Sequence, residues 1–181
     1  MILYRDKQIV KFEDSGHWLE NIKYLSKLWG INQNDEAIFL KLSTTCWYVL
    51  TLDGVEISLI DFEREEIVQN LLSCFEFFRL NFFKSDTCQW MFGYMMEVRP
   101  DLFSACGLDY KSIEEMGQFL IKKSTLQGNE LAKLLDGKKC LFNVFSKQKA
   151  NIKKHIAECF DEGAEVDKYF AEILTMSIVS R

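Results

Sequence analysis

The chain has 181 residues, enough for one domain with a sizeable core, and its 27 acidic against 22 basic residues give a formal charge of -5. That balance argues against nucleic acid as a direct partner and favours basic ones. The acidic excess lies in the first half of the chain, whereas Lys138 to Lys154 contains six lysines (138, 139, 147, 149, 153 and 154) and no acid, the pattern of a solvated face.

Residues 1 to 12, MILYRDKQIVKF, read as a strand pair or an irregular lead-in. From Ser15 the pattern turns helical: Trp18, Leu19, Ile22, Leu25, Leu28 and Trp29 share a face, Asp14 or Ser15 caps the start, and Gly30 is the expected stop. Asn32 to Asp35 supplies another cap. The next stretch is ambiguous, because Ala37 to Leu42 begins as a helix while TTCWYVLTL, Asp53-Gly54 and VEISLI carry strand and hairpin signals. A helix from about 35 to 52 is the first expectation, and a β-hairpin from about 44 to 60 is the alternative.

Asp61 reads as an N-cap, with Glu63, Glu65 and Glu66 in the first turn where carboxylates complement the helix dipole. That helix carries Ile67, Leu71, Leu72, Phe75, Phe78 and Phe82 and ends at Lys84-Ser85-Asp86. Asp86 to Phe103 is apolar over most of a helical circumference, which predicts a helix surrounded by others. Gly93 there allows close approach at a cost of roughly 1 kcal/mol in helix propensity. Pro100, the only proline, marks the exit. Asp109 or Ser112 opens the next helix, with Ile113, Met116, Phe119, Leu120 and Ile121 inward. A short helix from Asn129 to Leu135 stops at Gly137, and Ser146 to Phe160 and Ala164 to Ile178 form a last pair separated by Asp161-Glu162-Gly163. Seven or eight helices with short links, and no repeat of fixed period, predict an all-α single domain over residues 1–181. Its form is a multi-helix bundle or a short helical-hairpin solenoid, with α+β as the alternative if the hairpin at about 44–60 forms.

Catalytic patterns are sparse. None of the nine glycines forms a phosphate loop, and His17 and His155 lie in no metal-binding motif. Six cysteines at 46, 74, 88, 106, 140 and 159 form no CxxC pair, and Cys46, Cys74 and Cys88 sit in apolar patterns typical of buried free thiols. The neighbouring carboxylates Glu65-Glu66 and Glu114-Glu115 point about 100 degrees apart on a helix, so they suit capping and solvation better than joint chemistry. The expectation is a protein that is not an enzyme and uses no cofactor or metal. An enzyme would need a cysteine or carboxylate brought to His17 or His155 by folding. The 14% aromatic content recurs at core spacing, which favours packing over a base-stacking surface. The first ten residues are charged by position 5, unlike a secretory leader, and no apolar run approaches a membrane span, so a cytoplasmic location is expected.

Trp90-Met91-Phe92-Gly93-Tyr94-Met95, followed by Pro100 and Phe103, resembles the W-x-x-G-Y-M…P-x-x-F segment of small, mainly helical bacterial immunity proteins. These are encoded beside polymorphic toxins, including those of contact-dependent growth inhibition. The resemblance implies an inhibitor that binds a cognate toxin C-terminal domain and covers its active site or substrate cleft. An acidic inhibitor suits a nuclease toxin, whose cleft must be basic to hold phosphates. The partner-binding candidates are carboxylates at helix starts and turns: Asp61, Glu63 and Glu66, then Asp101, Asp109, Glu114 and Glu115. The Lys138–Lys154 face is the competing surface, and a general helical adaptor or scaffold is the alternative function.

Overall fold

A computed structural model describes residues 2–136, 146–160 and 163–179. The lead-in is a helix: Asp6 accepts hydrogen bonds from the backbone N–H groups of Gln8 and Ile9, both at 2.9 Å, and starts α1 (Lys7–Asp14). In α2 (Trp18–Ile31) Gly30 is an interior residue, since the last carbonyls, of Leu28 and Trp29, accept from the N–H of Asn32.

The ambiguous stretch is helical. In α3 (Glu36–Leu52) the Asp35 carboxylate accepts from the N–H groups of Ala37 and Ile38 at 3.0 and 3.1 Å, and every residue from Ile38 to Leu50 is buried. Strand-favouring residues are held in this helix by packing on all sides. The hydroxyls that would otherwise compete with it donate back to carbonyls four residues earlier, Ser43 to Phe39, Thr44 to Leu40 and Thr51 to Trp47, at 2.8, 2.7 and 2.8 Å. The hairpin does not form. Gly54, at φ 80°, turns the chain, and the Asp53 carboxylate accepts the Leu59 N–H at 3.1 Å, closing a loop that leads into the next helix. Replacing Asp35 with alanine removes the α3 cap and is expected to lower stability by about 1 kcal/mol in urea unfolding, with an unchanged slope.

Ile60, rather than Asp61, is the N-cap of α4 (Asp61–Phe77), and Glu63 reaches back to accept the Ile60 N–H at 3.1 Å. A π-helical turn, Phe78–Phe82, extends α4. Its extra residue keeps two aromatics inward: Phe78 stacks on Phe92 at 4.4 Å, and Phe82 meets Phe39 at 5.0 Å. Ser85 caps α5 (Asp86–Val98), and a 3-10 helix, Pro100–Cys106, delivers Phe103 edge-on to Phe75 at 5.3 Å. Then come α6 (Tyr110–Leu126), α7 (Glu130–Leu135), α8 (Ser146–Cys159) and α9 (Glu165–Val179). The expected stop at Gly137 and the Asp161-Glu162 separator lie outside the described residues.

The fold is an all-α bundle. Its centre is shared by α5 and α3, joined where the Trp47 indole donates to the Met95 carbonyl at 3.1 Å and Phe39 stacks near Phe92. Against α5 lies α6, running antiparallel, with Gly93 facing Gly117. A Cβ built on either glycine would stand 2.7 Å from the carbonyl oxygen of the other. Phe119, expected inward, is exposed on α6. The chain closes on itself, because α9 packs against α1, α3 and α7, and the Ile2 N–H donates to the Cys159 carbonyl at 2.9 Å. That long-range closure distinguishes the bundle from a solenoid of sequential hairpins.

Three charges sit inside this closure. The Lys41 ammonium lies 2.8 Å from Glu13 and 2.7 Å from Asp167, and all three side chains are buried. Glu13 also accepts from the Asn21 amide at 3.3 Å and from the Val166 N–H, at the start of α9, at 3.2 Å. Burial raises the Asp167 carboxyl above its ordinary value, while Lys41 pulls it back.

Candidate functional site

The seven carboxylates lie toward one end of the bundle. Arg99, just past α5, donates to the Thr51 and Leu50 carbonyls at 3.4 and 3.5 Å, so α3 and α5 finish together. The loop after α3 leads to the start of α4, and antiparallel α6 begins beside the end of α5. Asp61, Glu63 and Glu66 are therefore on the same end as Asp101, Asp109, Glu114 and Glu115.

Their availability differs. Asp109 caps α6, accepting from the Ser112 N–H and hydroxyl at 2.9 Å each, and those bonds hold its carboxyl below the usual range. Asp101 is clamped by Arg99 through bonds of 2.7 and 2.8 Å, and this guanidinium likewise lowers it. Glu63 caps α4, and Glu66 lies 3.5 Å from Lys23. Asp61 is exposed, with a loose 3.4 Å contact to Arg64. Arg64 is itself held at 2.6 Å by Asp53, whose carboxyl it depresses. Glu114 is exposed, and Glu115 has only a 3.9 Å contact to Lys111. The open acids are thus Asp61, Glu114 and Glu115, while the arginines of this end already hold internal carboxylates.

A feature absent from the sequence expectations accompanies them. Around the Asp53 loop and the start of α4, Val55, Ile60 and Phe62 are 80%, 66% and 69% exposed. Alternating apolar residues after a turn read as strand; only the failure of the strand to form leaves them in solvent. Glu56, Asp61 and Glu65 stand exposed among them. The combination is an apolar projection flanked by negative charge, suited to a cleft with a basic rim.

The remaining chemistry is muted. Cys46, Cys74 and Cys88 are buried free thiols, and burial pushes Cys74 up to about 12. The Cys159 sulfur is 3.8 Å from His155 Nε2, one helical turn away on α8, but burial raises this thiol too, the reverse of what a nucleophile needs. Among the described residues no group of three or more His, Cys, Asp or Glu side chains is arranged to hold a metal ion, and no helix is long and apolar enough to cross a membrane. Of the lysine-rich face, Lys153 and Lys154 are exposed on α8, whereas Lys138, Lys139 and the side chain of Lys147 lie outside the described residues. Trp90, Gly93, Tyr94, Met95 and Phe103 of the motif are all buried, and the Tyr94 and Tyr169 hydroxyls meet at 2.9 Å in a part-buried contact. Comparison with protein-family models, curated proteins and solved structures gives no match.

Proposed function

We propose that the protein is an immunity protein that neutralises a basic toxin domain, such as a nuclease, by covering its active site or substrate cleft. The observation that carries this reading is the exposed Val55–Ile60–Phe62 projection among open carboxylates. A nuclease cleft must be positive to bind phosphates, and an acidic projection enters it with favourable long-range attraction and rapid capture. Apolar anchors then supply the contact area that slows release. The short Trp90–Phe103 resemblance supports the same class, its residues serving the core.

The test is co-expression with the toxin domain encoded beside this gene, scored for growth, together with an affinity measured on the purified pair. The combined variant Asp61→Lys and Phe62→Ser, both at exposed positions, is expected to stay folded, with a melting curve lowered slightly by the cation in the first turn of α4, while binding weakens by roughly a hundredfold or more. Protection should fall with it. Full protection by the variant would remove this projection from the interface. Capture of several unrelated partners, without protection against any toxin, would favour an adaptor.

A further inference from the structure

A second, concave surface lies among α5, α6, α7 and α9. Where α5 ends against α6, an open groove of about 570 Å³ is bounded by Glu97, Glu115, Phe119, Lys122, Leu135 and Asp136. A hollow of about 500 Å³ adjoins it across Glu97 and Leu135, walled by Tyr94, Val98, Ile173 and Met176. The two make one trough running from α6 past the end of α7 to α9. Phe119 and Met176, on its opposite sides, are 57% and 59% exposed.

The charge around the trough is one-sided. Glu97, Glu115 and Asp136 line it and Glu114 lies close by, against the single cation Lys122 among the lining residues. Among the described residues neither Glu97 nor Asp136 has an ion-pair partner, unlike Asp53 and Asp101 on the same end. Although Glu97 is open to water, the surrounding walls strip part of its hydration; with Glu114 and Asp136 near, its carboxyl is held above the ordinary range. A negative field that already disfavours its own carboxylate is one that a lysine or arginine would relieve.

We propose that this trough is the docking site for a basic amphipathic segment of a protein partner, with apolar side chains on Phe119, Leu135 and Met176 and cationic ones against Glu97, Glu115 and Asp136. The mixture of exposed apolar and acidic side chains along the trough matches the two faces of such a segment, as in other helix-in-groove contacts. A phosphate-bearing ligand would be repelled. Two-fold pairing with a second copy would set one acidic end against another. This inference does not depend on the toxin reading: none of the trough's lining residues belongs to the Val55–Phe62 projection, although Glu115 is also one of the open acids of that end.

The probe is a synthetic amphipathic helix with leucines on one face and lysines on the other, compared with the same peptide carrying glutamate for lysine. Both are titrated into the full chain by fluorescence anisotropy, and amide NMR shifts locate the contact. The lysine peptide is expected to bind, more weakly as salt rises, with shifts at the trough, and the glutamate peptide is not. The double variant Glu97→Gln and Glu115→Gln should weaken binding by roughly tenfold, and Phe119→Ser by a similar factor. All substituted positions are exposed, and thermal melts confirm that the fold is kept. No binding, equal binding of both peptides, or unchanged binding by both variants would overturn the proposal. So would a concentration-dependent dimer abolished by Phe119→Ser, which would give the trough to a second copy. A Phe119→Ser variant that loses the peptide yet still protects against the toxin would uphold this site and separate it from the inhibitory projection.

Discussion

Lys41→Met is expected to destabilise the protein by about 3–5 kcal/mol, because it leaves Glu13 and Asp167 buried without their shared counter-charge. Methionine fills nearly the same volume, so the loss is electrostatic rather than a cavity effect. Its dependence on pH gives the signature. Burial already raises Asp167, and removing Lys41 takes away the larger of the two cationic influences, Lys41 and Arg5, that pull it back. A carboxyl with a raised folded-state pKa contributes stability that is fully present below its unfolded value, near about 4, and is lost as pH rises through the folded value. The deficit of the variant against the parent should therefore be smallest in acid and grow toward neutrality. Adding Glu13→Gln and Asp167→Asn to Lys41→Met should return part of the stability, since the buried carboxylates that lost Lys41 are then neutral. Urea unfolding at several pH values measures both effects; a deficit that is the same at every pH would mean that the triad does not hold α1, α3 and α9 together electrostatically.

None of that triad was visible in the sequence. Residues 13, 41 and 167 share no spacing, and a lysine within an apolar run reads as a surface position until α3 proves to be covered on every side. The same complete burial explains why α3 was ambiguous: a helix with no solvent face has no apolar-polar contrast, and its threonines, tryptophan and tyrosine mimic a strand. Helix starts were easier to place, because Asp35, Asp109 and Asn129 act through local bonds to their own backbone. That locality also explains what was missed among the acids. Sequence locates Asp101 and Glu63 at a turn and a helix start, but only folding shows that the Arg99 guanidinium and the Ile60 N–H already hold them. It likewise leaves Glu114 and Glu115 open, beside a Phe119 whose spacing predicted an inward side chain.

Gly93 was legible as a close-contact position; its partner Gly117 was not, and the pair sets the second large prediction. Gly93→Ala should gain about 1 kcal/mol in helix propensity, yet its Cβ would lie 2.7 Å from the Gly117 carbonyl oxygen and 2.8 Å from Ile121 Cγ1. The isoleucine can rotate, but the carbonyl belongs to the α6 backbone and moves only if the helices part. The net effect is a loss of about 2 kcal/mol, and Gly93→Leu should cost more than about 3 kcal/mol or prevent folding. Gly117→Ala meets the reciprocal obstacle, the Gly93 carbonyl at 2.7 Å, together with the Glu97 N at 3.0 Å. Once one alanine has separated α5 and α6, the second enters space already opened, so the double alanine variant should lose less than the two single losses combined. Strict additivity would show that the glycines do not share one contact, and parent-like stability in Gly93→Leu would show that they make none. Because Glu97 and Glu115 lie on the two helices that would separate, a folded Gly117→Ala should also bind the lysine peptide more weakly while its surface chemistry is untouched. That result would make the narrow α5–α6 crossing a requirement for the trough as well as for the core.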